Sequence, residues 1–94
     1  MRLYKKIKSL ETGIAASKNN KGILLFNPTE TFPAEYTVDI INVDKTITTL
    51  DLTLNQVSAN AVSLATNPNY ALIPFRISSW TDTNATGLKA YELF

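Results

Sequence analysis

Tyr36–Leu54 reads YTVDIINVDKTITTLDLTL, and its alternation decides the fold class. Tyr36, Val38 and Ile40 alternate with Thr37, Asp39 and Ile41, the signature of a half-buried strand. Asn42 to Lys45 is turn chemistry. Beyond it, Leu50, Leu52 and Leu54 face one way while Thr49, Asp51 and Thr53 face the other. Ile47 is out of phase with those leucines, so a β-bulge or register change is expected near Thr48.

Strand signals continue on both sides of this unit. Upstream, Ile23–Phe26 (ILLF) is a short apolar run between an Asn19-Asn20-Lys21-Gly22 turn and an Asn27-Pro28 breaker, which predicts a strand buried on both faces. Downstream, Gln56 to Asn69 is softer, with Val62 and Leu64 as anchors of one short strand. Asn67-Pro68-Asn69 then turns the chain into a strand over Tyr70–Ser79. Within it, Ile73, Phe75 and Ile77 alternate with Pro74, Arg76 and Ser78. Pro74 cannot donate to a ladder and marks an edge at that position. Thr81 to Gly87 (TDTNATG) is a loop, and Leu88 to Phe94 (LKAYELF) is a final strand that makes the C-terminus structural. Its two faces are both largely apolar: Tyr91 and Leu93 on one, Leu88, Ala90 and Phe94 on the other, with Glu92 the one polar residue among them. Such a strand is central in a sandwich or covered by another chain. Short strands, many threonines and turns every eight to twelve residues predict an all-β protein, a small antiparallel β-sandwich or barrel. Residues 1–20 form an arm or first strand before a single domain over 21–94. In the arm, Leu3, Ile7, Leu10 and Ile14 recur at helical spacing, but Leu3–Ile7 also fits a strand, so its form stays open.

Composition narrows the function. A chain of 94 residues buries only roughly 60 to 65% of its extended surface, so its private core is modest. Its charged share, 18%, is low for a free-standing surface and favours covered faces. The net charge of +1 offers no field for nucleic acid. Without cysteine there is no disulfide or thiolate chemistry, and without histidine the commonest general base and metal ligand are missing. We expect no cofactor and no enzymatic activity. No signal peptide and no membrane span is read from the sequence, so no membrane partner is expected.

Candidate chemistry meets plain alternatives. Lys5, Lys6 and Lys8 could meet phosphates or an acidic partner, although a solvated polar face is favoured. Asp82, Asn84 and Gly87 lie in a stretch (DTNATG) that matches the first half of an EF-hand loop, but Leu93 stands where the closing Glu belongs, so a hairpin loop is favoured. The Asn84-Ala85-Thr86 glycosylation pattern is discounted in the absence of a secretory signal. Glu30, Glu35, Asp39, Asp44 and Asp51 show no spacing that selects a glycosidase pair. Trp80 falls on the face opposite Ile73, Phe75 and Ile77, which puts it outside the core, where it could contact a partner or stack on a sugar with Tyr70 or Tyr91. A twist that tucks it over the end of the barrel is the plain reading. Arg76, Trp80, Leu88 and Phe94 are the candidate subunit contacts.

The run Ile73–Ile77 (IPFRI), the Thr81–Gly87 loop and the Glu92-Leu93-Phe94 ending resemble the C-terminal signature of small virion proteins of tailed bacteriophages and gene transfer agents, the spike base proteins. Lys21–Asn27 (KGILLFN) is similar to their first core strand. The middle, Phe32 to Thr66, is longer and richer in Leu and Thr than in that family, and the arm has no counterpart there. The resemblance implies a non-enzymatic β domain that oligomerises with copies of itself on a virion assembled in the host cytoplasm. Its other partner would be the major capsid protein or another virion protein, and it would decorate the capsid or seat a spike or fibre. A neck or tail position and a carbohydrate-binding module built on Trp80 are the alternatives.

Overall fold

A computed structural model describes residues 4–28, 34–54, 70–84 and 87–94. Seven strands follow one another: β1 (Ile7–Ser9), β2 (Gly22–Phe26), β3 (Ala34–Ile41), β4 (Ile47–Leu54), β5 (Tyr70–Ile73), β6 (Ile77–Asp82) and β7 (Lys89–Leu93). They form two antiparallel sheets, one in the order β1-β7-β2-β5 (sheet A) and the other β4-β3-β6 (sheet B). Among the described residues there is no helix, and the all-β, two-layer expectation holds. The softer stretch around Val62 and Leu64 lies outside the described residues.

The alternation read from Tyr36–Leu54 is what the hairpin uses. Tyr36, Val38 and Ile40 point into the sandwich, and Leu50, Leu52 and Leu54 lie on the same side of the neighbouring strand. From sheet A, Ile23, Leu25, Ile73 and Ala90 meet them. Residues on the two inner faces bury their apolar area against each other, at about 25 cal/mol per Å² removed from water. The hairpin turn is held by Asn42 N–H to Thr46 O at 2.8 Å, with Lys45 at φ 71°. Asp44 accepts from both the amide and the hydroxyl of Thr46, and those bonds hold its carboxyl below the usual value.

Three expectations need correction. The β3–β4 register runs unbroken from Ile41↔Ile47 to Ala34↔Leu54, so there is no bulge near Thr48; Ile47 is simply an outward residue, 52% exposed. The irregularity lies in β6 instead, where Asp39 pairs with Ser79 but Ile40 with Ile77, leaving Ser78 as the extra residue. The stretch Tyr70–Ser79 is not one strand. Pro74, Phe75 and Arg76 carry the chain from sheet A to sheet B, and Phe75, expected inside, is 59% exposed. β5 ends sheet A among the described strands, with Pro74 directly after it.

The arm is neither helix nor tail. β1 pairs with β7, and the ladder extends through Phe94 N–H to Lys6 O at 2.9 Å. Leu10 to Asn20 then crosses from the β1 edge of sheet A to the β6 edge of sheet B. Gly13 N–H donates to Trp80 O and Ala16 N–H to Ser78 O, each at 2.8 Å. Asn20 completes the row with its side chain: Oδ1 accepts from Ile77 N–H at 3.1 Å and Nδ2 donates to Ile77 O at 2.9 Å, so the amide substitutes for a strand. Glu92, buried on the inner face of β7, accepts from Ser17 N–H at 2.5 Å. At the same corner Gly22 is required, because a Cβ there would lie 2.3 Å from Ile73 O.

Asn20→Ala leaves both buried backbone groups of Ile77 without partners and is expected to cost about 3 kcal/mol. The denaturant midpoint should fall with the slope unchanged. Burial pushes the Tyr36 phenol from 10.0 up to about 12. The folded state therefore holds its proton when the unfolded chain has lost it. This contribution is fully present below pH 10 and lost as pH rises towards 12. Unfolding midpoints across that window should decline more steeply for the wild type than for Tyr36→Phe.

Candidate functional site

The candidate contacts separate once placed on the fold. Trp80 is 2% exposed, against the expectation that it points outwards. The extra residue Ser78 reverses the alternation, so Ile77 and Trp80, three apart, both face the core. Its indole Nε1–H donates to Leu10 O at 2.9 Å, which satisfies the polar end inside the bridge. A buried indole offers no platform to a sugar. Leu88 is 9% exposed and belongs to the same core. Phe94 is half-buried, with Lys6 Nζ 5.3 Å from its ring centroid. Arg76 is exposed in the crossover, its carbonyl accepting from Ile41 N–H at 2.9 Å. It lines a hollow with Lys18 and Lys45.

The oxygen-rich loop after β6 is occupied by structure. Asp82 N–H donates to Thr12 Oγ1, Thr83 N–H to Glu35 O, and Asn84 Oδ1 accepts from Glu35 N–H at 2.6 Å. Among the described residues, no three His, Cys, Asp or Glu side chains gather as a metal site. Glu35, Asp39 and Asp51 lie on the outer side of sheet B, and Asp39 Oδ1 accepts from Thr49 Oγ1 at 2.6 Å. Glu30 lies outside the described residues.

What the residues do assemble is a surface. The register Leu24↔Tyr91 and Leu24↔Leu72 sets these three side chains in one row on the outer side of sheet A. Phe26↔Tyr70 sets a second row beside it, and Ile7 stands on the same side of β1. Leu72, Tyr70 and Ile7 are 48%, 54% and 59% exposed, and the others are partly so. Beside the β5 edge, Tyr70, Leu72 and Phe75 also line a cleft of about 500 Å³ together with Leu50 and Leu52 of β4. A contiguous apolar face of this kind marks an interaction site, whereas single exposed apolar residues do not. Sheet B shows the opposite: Glu35, Thr37, Asp39, Thr49, Asp51 and Thr53 make its outer side polar. The two-sided apolar character of β7 is thus explained in part by its central place in sheet A and in part by this outer face.

Sequence reasoning named Tyr70 and Tyr91 only as companions of Trp80 in a sugar platform and missed Leu24, Phe26 and Leu72. Their signal was the same continuous apolar run that marked β2 as buried on both faces. In comparisons with protein families, with curated proteins and with solved structures, this chain matches none.

Trp80 is the sole tryptophan, so its fluorescence reports this core directly. The folded protein should emit at short wavelength and resist quenching by acrylamide, with both properties lost on unfolding. Trp80→Phe is expected to destabilise by about 2 kcal/mol, through a lost buried hydrogen bond and unfilled volume.

Proposed function

We propose that this chain is a non-enzymatic structural protein of a tailed-bacteriophage virion, an oligomerising β domain that decorates the capsid or seats a spike or fibre on it. The observation that carries the reading is the apolar outer face of sheet A. A solvent-facing sheet ordinarily alternates apolar-in with polar-out, as sheet B does. Sheet A breaks that rule on β2, β5 and β7 together, which suits a subunit whose outer face is covered in an assembly. The small private core agrees, since stability that a short chain cannot supply alone can come from association. The resemblance of IPFRI, the Thr81–Gly87 loop and the ending ELF to spike base proteins directs the reading to a virion. A seat in the neck or tail would use the same face.

The carboxylates support a non-enzymatic role by their placement: Glu35, Asp39 and Asp51 are spread along an outer sheet surface, and Glu92 is engaged with Ser17. The test is co-sedimentation of the purified chain with assembled capsids, alongside sedimentation velocity of the chain alone at high micromolar concentration. The reading expects capsid binding and an oligomer. A monodisperse monomer that stays in the supernatant would overturn it. Leu72→Asp, an exposed position, should leave the tryptophan emission unchanged while weakening association at least tenfold, the scale of an apolar contact replaced by a desolvated charge.

A further inference from the structure

Among the described strands the two sheets have four edges, and three of them are guarded. The β6 edge is covered by Gly13, Ala16 and Asn20. β1 has three residues, with Lys8 among them and Lys5 and Lys6 before it. β5 has four, and Pro74 directly follows it. The β4 edge has none of these devices. It runs for eight residues in unbroken register with β3, holds no proline, lysine or arginine, and among the described strands pairs on one side only. A long regular edge of this kind is a template for a further strand.

The backbone fixes which residues such a strand would meet. Ile41 N–H donates to Arg76 O and Thr83 N–H to Glu35 O, so the odd-numbered residues of β3 turn towards β6. Asn42 N–H to Thr46 O begins the opposite series, in which Thr48, Leu50, Leu52 and Leu54 bond to β3. The amides and carbonyls of Ile47, Thr49, Asp51 and Thr53 therefore point to the open side. On the inner side of β4, Leu50 and Leu52 are only half-buried, and they line the cleft with Tyr70, Leu72 and Phe75. An added strand thus needs apolar side chains on its inner side and polar ones on its outer side.

β4 itself meets that need. We propose that two copies of this chain pair through β4, antiparallel about a twofold axis at Leu50. The inference rests on the oligomerising reading above and names one contact within it. A slip of one residue would turn the leucines outwards, so only registers that match the faces are open. Centring the pair on Asp51 would set two carboxylates directly opposite each other, which is destabilising. Centring it on Thr49 or Leu52 shortens the overlap to Ile47–Asp51 or Leu50–Leu54. Centring it on Leu50 keeps Ile47–Thr53. Ile47 then lies opposite Thr53 of the second copy, Thr49 opposite Asp51, and Leu50 opposite Leu50. This register forms about eight backbone hydrogen bonds, and it brings Thr48, Leu50 and Leu52 of the second copy to the inner side, beside the cleft. Each Asp51 stands between two threonines, Thr37 of its own β3 and Thr49 of the second copy. The contact is isologous and closes at a dimer. Two copies of the three-stranded sheet B become one continuous sheet, and the unguarded edge is used up.

Asp51→Pro tests the contact. The Asp51 amide points to the open side, so proline there leaves the β3 ladder whole and blocks an added strand. Tryptophan emission identical to wild type establishes that the variant is folded. In sedimentation velocity at high micromolar concentration the wild type should be a dimer and Asp51→Pro a monomer. A monomeric wild type, or a variant that associates as the wild type does, overturns the proposal. Amide exchange reads the same edge residue by residue. In the dimer Thr49, Asp51 and Thr53 should be protected along with Thr48, Leu50 and Leu52, and dilution should release the first three alone. Protection of those three in a chain that stays monomeric also overturns the proposal, because the edge is then covered from within. The chain has no cysteine, so one introduced thiol reports the register. With diamide as oxidant, Leu50→Cys should cross-link into a dimer and Leu52→Cys should not, since the offset of the latter pair exceeds disulfide reach. The reverse preference, or equal yields, counts against the proposal decisively. Capsid binding by a wild-type chain that stays monomeric would sink this inference and leave the virion reading standing. A β4 dimer that binds no capsid would do the reverse.

Discussion

The structure depends on the bond between the Trp80 indole and the Leu10 carbonyl, 2.9 Å long and buried. It ties sheet B to the segment that crosses from sheet A, between two residues of the core. Around it Gly13, Ala16 and Asn20 satisfy Trp80, Ser78 and Ile77 in turn along the β6 edge. Two small sheets with a modest shared core can slide or splay, and an unpaired edge invites foreign strands. A single run of eleven residues, Leu10 to Asn20, removes both problems on one side. The extra residue Ser78 lets Ile77 and Trp80, three apart, both face the core, so that this edge is closed along its length.

Closing one side fixes where the remaining apolar surface goes. With 45% hydrophobic residues and a two-layer sandwich, the chain has more apolar side chains than the inner faces accept. Part of the surplus is scattered, as at Ile14, Val43 and Ile47, and part collects in adjacent rows on β2, β5 and β7, strands paired with one another in register, while β3 and β4 carry mainly threonines and acids outwards. Contiguity is what gives the surface its meaning. Exposed Leu and Tyr side chains in adjacent rows lose far more free energy to water together than they could recover by rotamer adjustment within the monomer.

How much of this was legible follows from the range of each interaction. Alternation is local, so the β3–β4 hairpin could be read directly; Ile23–Phe26 was legible as a strand, but not buried on both faces, since Leu24 and Phe26 lie partly exposed on the outer side of sheet A. The bulge was also written in the sequence, but in a different place. Ile47 among leucines suggested a slip that the unbroken register denies, whereas Ile77 and Trp80, separated by three, were the true mismatch in a strand. The split at Pro74 was half legible, as an edge signal that in fact accompanies a change of sheet. Leu3, Ile7, Leu10 and Ile14 suggested a helix, yet Ile7 and Ile14 are exposed and Leu10 is in the core. The arm is shaped by bonds to residues 57 to 75 positions away, which no local pattern encodes. Asn20, read as a turn residue, and Glu92, read as an exception on an apolar face, are the two polar side chains that fasten it.

The same edge logic bears on how copies of this chain meet. On the arm side, β6 is covered, and β1 is three residues long with Lys8 in it and Lys5 and Lys6 before it. A short edge guarded by lysines is a poor template for strand addition. Backbone-to-backbone growth of the sheets is thereby disfavoured on that side, and association there is left to side chains on the sheet faces. Side-chain contact across faces is selective in a way that edge pairing is not, because charge sign and the spacing of apolar rows must both match. The lysines near β1 thereby discourage indiscriminate strand pairing.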